Sequence, residues 1–228
     1  MGCPAVKLFI LKANMIISAN SDNSDFKQVP AGMHLARCYR ITDLGTQKSE
    51  FQGQVKYNRK IMVQFEVHGE DADGTPLLTD KQEPMSVSKR YTRSLAEKAA
   101  LRADLISWRG REFTKEELNS FDLKNILGAW AMLSIVKSTS QNGKEYTNIA
   151  NVNPVPASIK KAGLPQGHNE LVEFDIDSFD PAVYEKMSKG IKAVIEGSPE
   201  WKARKDPVRA QSTSAGSGFD DMDDDMPF

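Results

Sequence analysis

The stretch Arg59-Lys-Ile-Met-Val-Gln-Phe-Glu-Val-His68 has the clearest pattern in this chain of 228 residues. Every second residue from Ile61 to Val67 is apolar, whereas most of the residues between them are polar or charged. Strict alternation is typical of a β-strand with one buried face, because successive side chains point to opposite sides of a sheet. The stretch therefore predicts a strand whose second face meets solvent or a ligand.

Shorter runs on both sides predict further strands at 34–43, 85–92, 129–137 and 144–152. Asn142-Gly143 lies between the last two and predicts a tight hairpin. Helical spacing from Ser94 to Trp108, opened by a Ser94/Glu97 capping box, predicts a helix between the third and fourth strands. The order favours a mainly β fold with helical insertions, an OB-fold-like five-stranded barrel. An open α+β sheet is the alternative.

Composition divides the chain into five segments. Residues 1–28 form a disordered lead-in in which Met15 is a second candidate start, and 29–157 form the barrel domain. Residues 158–205 read as a linker with a helix at about 181–196, because Asp180-Pro181 is a typical helix start. Residues 206–218 are small and polar, a flexible linker with a reach of about 20 Å. Residues 219–228 form an acidic tip.

Charge is unevenly distributed. The whole chain carries −1, but residues 1–218 carry +4, because the last ten residues include five aspartates and no base. A basic body is compatible with a polyanionic ligand. Two isolated cysteines and the lack of an apolar run of about 20 residues indicate a cytoplasmic protein. Since phosphate-binding, hydrolase and zinc motifs are missing from the sequence, we expect no enzyme, cofactor or metal site.

Basic and aromatic residues are interleaved in and around the first three strands. Nucleic-acid-binding surfaces need cations along the phosphates and rings that stack on bases. Each such residue can also be an ordinary surface or core residue, and these alternatives stay open. The candidates are Arg37, Tyr39, Arg40, Lys48, Phe51, Lys56, Tyr57, Arg59, Lys60, Lys89, Arg90, Tyr91 and Arg93.

The chain ends in Asp-Asp-Asp-Met-Pro-Phe228. This ending resembles the C-terminal tip of bacterial single-stranded DNA-binding proteins, and the general layout is similar to divergent phage and prophage members. The helical block Leu101–Arg111 departs from the ordinary bacterial pattern. The resemblance implies a tip that binds partner enzymes through Asp220, Asp221, Asp223, Asp224, Asp225, Met226, Pro227 and Phe228.

The resemblance also implies a function. We expect non-catalytic, sequence-tolerant binding of single-stranded DNA in replication, recombination or repair, with replication or repair enzymes recruited by the tip. If the chain is phage-encoded, this takes place in the bacterial host cytoplasm. A recombination or annealing mediator and a DNA-independent phage interaction or assembly protein are the alternatives. A homo-oligomer is compatible with the sequence.

Overall fold

The computed structural model describes residues 27–51, 54–140, 143 and 145–205, with Phe51 described by its backbone alone. The strands are β1 Gly32–Phe51, β2 Gln54–His68, β3 Ser86–Thr92, β4 Trp130–Thr139, β5 Glu145–Asn153 and β6 Val172–Phe174. The helices are α1 Ala100–Arg109, α2 Lys115–Asn119, α3 Ala157–Ala162, α4 Pro181–Glu185, α5 Lys189–Glu196 and α6 Pro199–Lys205, with a 3₁₀ turn at Leu123–Ile126. The mainly β prediction is confirmed.

The strands form one sheet in the order β3-β2-β1-β4-β5. All neighbours in this order are antiparallel, and the short β6 pairs in parallel with β1 at residues 40–42. Among the described residues β3 and β5 share no ladder, so the sheet is not a closed barrel. Helix α1 packs against both strands, and Lys89 Nζ on β3 donates to the carbonyl of Ala150 on β5 at 2.9 Å.

The alternating stretch behaves as predicted. Ile61, Val63, Phe65 and Val67 are almost fully buried in the main apolar core, which α1 covers from the other side. Phe65 meets Trp108 of α1 with ring centroids 5.6 Å apart. Burial of large apolar side chains is the dominant favourable term in folding. The side of the sheet that packs against α1 is therefore its core-facing side. The opposite side of the sheet is called the outer side below.

The first two strands are longer than predicted. Residues 46–58, which lie between the first two predicted strands, continue β1 and β2 as a two-stranded ribbon in which Lys48 opposes Tyr57 and Ser49 opposes Lys56. Because β3 pairs with β2 only at residues 60–66, the ribbon of 45–51 and 54–59 extends past β3. A polar ribbon is held by its backbone ladder and needs no apolar alternation, so the sequence pattern did not reveal it.

Residues 172–201 form a second apolar cluster on the outer side of the sheet. Met62 of β2 and Leu44 of β1 are buried there against Phe174, Tyr184, Ile195 and Trp201. The segment predicted as a linker with one helix therefore packs on the sheet, and the predicted helix is two helices, α4 and α5. Gly45 permits this contact, since its φ is +69° and a Cβ there would lie 2.5 Å from Ser198 Cβ.

The predicted helix starts have different outcomes. The start predicted at Asp180-Pro181 is confirmed, because the Asp180 side chain caps α4. Helix α2 begins with a capping box of Thr114 and Glu117. The box predicted at Ser94 is wrong, because α1 begins at Ala100 without a side-chain cap and Ser94 Oγ instead accepts a hydrogen bond from Ala96 N. None of the helices described is both long and apolar enough to cross a membrane.

Candidate nucleic-acid interface

The outer side of β1, β2 and β3 carries a group of polar and cationic side chains. In the strand registers Arg40 opposes Gln64, which opposes Ser88, and Lys60 opposes Thr92. Arg90 is exposed and lies on the same face, since it opposes the outward Met62. Lys60 Nζ donates to Thr92 Oγ1 at 2.7 Å, and the Arg40 guanidinium lies 5.7 Å from the Tyr39 ring centroid. This surface, Arg40, Lys60, Gln64, Ser88, Arg90 and Thr92, is called the cationic face.

The ribbon carries further cations beyond the half-buried Arg40 and Lys60 and the exposed Arg90. Lys56 lies on the same side of β2 as Lys60, four residues away, and is exposed. Lys48 and Tyr57 oppose each other on the reverse side of the ribbon, where the Tyr57 side chain is 67% exposed. Exposed rings next to lysines are the groups that base stacking and phosphate contact require.

Arg59 and Arg93, two of the predicted cations, belong to a carboxylate cluster. Arg59 donates to Asp43 Oδ2 at 3.1 Å and to Asp177 Oδ2 at 2.8 Å, and Arg93 lies 3.3 Å from Asp175 Oδ2. The Asp43 hydrogen bond outweighs the effect of burial and holds the pKa of Arg59 above its ordinary value. Because three carboxylates surround the two guanidinium groups, the cluster carries no net positive charge. Its ion pairs connect β1 and β2 with the segment after β6.

Lys89 and Tyr91 lie on the core-facing side of the sheet, toward α1. Lys89 Nζ and Tyr91 Oη each donate to Asp104 Oδ2 of α1 at 2.7 Å. Burial, followed by the charge of Asp104, raises the pKa of Tyr91. Both side chains therefore fix α1 on the sheet. Of the predicted cations Lys89, Arg90 and Arg93, Arg90 is the one without an ion pair among the described residues.

A buried polar network fixes Arg37. The Glu66 side chain is fully buried and lies 2.8 Å from Arg37 Nε, and it also accepts hydrogen bonds from the backbone of His168 and Asn169. Burial raises the pKa of Glu66, but the Asn169 hydrogen bonds and those from His68 and His168 prevail and lower it to about 2. Tyr39 is buried at 7% exposure.

The thirteen candidates therefore divide into two groups. Arg37, Arg59, Lys89 and Arg93 are ion-paired and Tyr39 and Tyr91 are buried. Five cations have no ion-pair partner within the described parts of the chain, and they lie on the cationic face or the ribbon together with Tyr57: Arg40, Lys48, Lys56, Lys60 and Arg90. The backbone of Phe51 lies at the ribbon's end. Gln64, Ser88 and Thr92 were not predicted from the sequence as members of this surface. They alternate with buried residues along β2 and β3.

The predicted partner-binding residues Asp220, Asp221, Asp223, Asp224, Asp225, Met226, Pro227 and Phe228 lie outside the described residues, as do 1–26 and 206–218. Within the described ranges no group of three or more His, Cys, Asp or Glu side chains could hold a metal ion. No protein-family model matches the chain, and no curated protein matches it.

Proposed function

We propose that the protein binds single-stranded DNA with little sequence preference, without catalysing a reaction on it. The observation that carries this proposal is the separation of the cations. Four of the predicted basic residues neutralise buried or half-buried carboxylates, whereas five others and an exposed tyrosine are collected on the cationic face and the ribbon. A surface that keeps unpaired cations together with an exposed ring is suited to a flexible polyanion with aromatic bases.

The strand order supports the finer assignment of an OB-type fold. In such folds a five-stranded, partly open Greek-key barrel binds oligonucleotides on the face of strands 2 and 3 and on the loops joining strands 1–2 and 4–5. Here the order is β3-β2-β1-β4-β5, with α1 between β3 and β4 and in contact with both β3 and β5. Apart from Arg40 of β1, the cationic face lies on β2 and β3, and the ribbon is the connection between strands 1 and 2.

The proposed mechanism is stoichiometric binding. The DNA backbone follows Arg40, Arg90, Lys60 and Lys56 on the outer side and passes around the ribbon. On the reverse side of the ribbon a base stacks on Tyr57 beside Lys48, and such a stacked base contributes about 1–3 kcal/mol. Gln64, Ser88 and Thr92 offer uncharged hydrogen-bonding groups between the cations. Such contacts follow the backbone and the base faces, which all nucleotides share, so the surface is tolerant of sequence.

The tip supplies the second part of the proposal. Phe228 and its terminal carboxylate would bind a pocket on a replication or repair enzyme, while the five aspartates steer the encounter. This part rests on the sequence resemblance alone. Deleting Met226 to Phe228 is expected to abolish capture of such an enzyme and to leave DNA affinity intact or higher. Loss of DNA binding in that deletion would contradict the separation of roles.

Titration of a fluorescent oligo-dT and a matched duplex at two salt concentrations tests the proposal. We expect tighter binding of the single strand and weaker binding at the higher salt concentration. No binding of the single strand would overturn the proposal. Charge reversal at Lys89 or Arg93 is unsuitable for this purpose, because it would place like charges against Asp104 or Asp175 and destabilise the fold. Arg90 avoids that problem.

A further inference from the structure

Helices α5 and α6 carry most of the excess positive charge of the chain outside its acidic tip. Residues 189–205 contain five basic and two acidic side chains and so carry +3, whereas residues 1–218 carry +4 altogether. The two carboxylates, Glu196 and Glu200, form no ion pair within the described residues, because they accept hydrogen bonds from an uncharged hydroxyl and a backbone N–H instead. The positive charge of these helices is therefore not neutralised by their own carboxylates.

Four of the five bases are free to meet an anion from solution. Lys192 is the exception, since its Nζ lies 3.0 Å from the Glu185 carboxylate. Arg204 is held over the Phe179 ring, with the guanidinium 4.1 Å from the ring centroid, and keeps its charge unpaired. The four exposed bases without an ion pair in the part of the chain that the structure describes are called the helical patch: Lys189, Lys202, Arg204 and Lys205.

The helical patch lies beside the cationic face on the outer side of the sheet. Gln47 Nε2 of β1 donates to the carbonyl of Val194 in α5 at 3.0 Å. A Cβ at Gly45 would lie 2.5 Å from Ser198 Cβ, so β1 also touches the turn that precedes α6. Gly45 opposes Lys60 of the cationic face, and paired strands lie about 4.8 Å apart. A polyanion that passes Lys60 therefore needs to cross only one strand to reach α6.

We infer that the helical patch binds phosphates of the same DNA strand beyond the cationic face and so lengthens the binding site. The inference rests on the proposed function. The one aromatic residue of α5 and α6, Trp201, is buried, so bases find no ring to stack on there. Contacts to phosphates alone carry no sequence information. The patch therefore adds affinity for longer strands without adding sequence preference.

Binding of oligo-dT of two lengths by the full chain tests the inference. An oligonucleotide of about 6 nucleotides, near the lower limit of site sizes for one OB-type domain, occupies the cationic face alone, whereas one of about 20 also reaches the helical patch. Lys189→Gln with Lys202→Gln should weaken binding of the longer oligonucleotide and make its slope of log affinity against log salt shallower by about 1.4, because each neutralised phosphate contributes about −0.7. The shorter oligonucleotide should bind this variant like the wild type.

Lys160→Gln with Lys161→Gln removes the same charge from α3 and is the matched control, expected to bind both lengths like the wild type. Urea midpoints of the three proteins should agree, since all four lysines are exposed. A wild type that binds neither oligonucleotide would refute the proposed function and the inference with it. If the wild type binds both, an α5–α6 variant that matches the α3 variant, or that loses the same affinity for both lengths, would overturn the inference alone. Tighter binding of the longer oligonucleotide by the α5–α6 variant would also overturn it, by showing that the patch holds the acidic tip instead of DNA.

Discussion

Glu66 and Asn169 are 103 positions apart in the sequence, yet Asn169 donates two hydrogen bonds of 2.7 Å to Glu66 Oε2, one from its backbone N and one from Nδ2. A fully buried carboxylate on β2 thus holds the segment before β6 on the outer side of the sheet. The same carboxylate neutralises Arg37. The segment therefore covers the outer side of the sheet at Arg37 and Glu66.

Glu66→Gln is expected to destabilise the protein by about 2–4 kcal/mol. The amide removes the negative charge and leaves the Arg37 guanidinium largely buried without its ion-pair partner. Urea unfolding measures the difference. Glu170→Gln is the control, because the Glu170 side chain is 79% exposed and its one ion pair, with Lys186, is long at 4.0 Å. Loss of this charge should change the free energy of unfolding by less than about 0.5 kcal/mol. Equal urea midpoints for the two variants would contradict this role of Glu66.

The low pKa of Glu66 predicts a pH dependence. The pKa is about 2 in the folded protein, compared with an ordinary value of 4.5, so the folded state binds fewer protons than the unfolded state between these values. The contribution of Glu66 to stability is therefore complete above about pH 4.5 and is lost as the pH falls toward 2. Urea midpoints of wild type and Glu66→Gln from pH 7 to 2.5 should converge at the acidic end. A constant gap would show that the carboxylate charge does not matter.

Gly167 should tolerate no side chain. A Cβ at this position would lie 1.7 Å from Arg37 Cζ, so Gly167→Ala must displace Arg37 or the chain before Asn169, and we expect a loss of more than 1 kcal/mol. Gly190→Ala in α5 meets no atom within 4 Å and should be neutral or stabilising by up to about 1 kcal/mol. Thermal unfolding of both variants measures the contrast. A lower melting temperature for Gly167→Ala and an unchanged or higher one for Gly190→Ala is the expected outcome, and the reverse ranking would refute it.

Tyr57→Ala should weaken binding of single-stranded DNA without changing stability. A ring that stacks on one base contributes about 1–3 kcal/mol, which corresponds to a loss of about 5- to 150-fold in affinity. Tyr57→Phe keeps the ring and should bind like the wild type. Since the side chain is 67% exposed, urea midpoints should agree among the three proteins. If the alanine variant binds like the phenylalanine variant, Tyr57 does not stack on DNA.

Strands with an apolar face could be predicted from the sequence, whereas segments held by long-range polar contacts could not. The alternation from Ile61 to Val67 predicted β2 and its buried face, and the Asn-Gly turn predicted the β4–β5 hairpin. The ribbon has no apolar period, and His168 and Asn169 are held by Glu66 and Arg37, partners more than a hundred positions away.

The candidate site was predicted as a set but not residue by residue. A lysine or arginine has the same appearance in the sequence whether it meets solvent or a carboxylate. Lys89 and Arg90 are neighbours, yet strand alternation directs Lys89 to Asp104 and Arg90 to solvent. Distinguishing them required the register of β3 on β2 and the position of α1, which depend on the whole fold.

The salt dependence of single-stranded DNA binding tests the central claim most directly. Each neutralised phosphate contributes a slope of about −0.7 in a plot of log affinity against log salt concentration for single strands. Lys60→Gln with Arg90→Gln should therefore weaken binding of oligo-dT and make the slope shallower by about 1.4. Lys160→Gln with Lys161→Gln, which removes two exposed cations from α3, should retain the wild-type affinity and slope. A wild type that does not bind the oligonucleotide, or a Lys60/Arg90 variant indistinguishable from the α3 variant, would contradict the account.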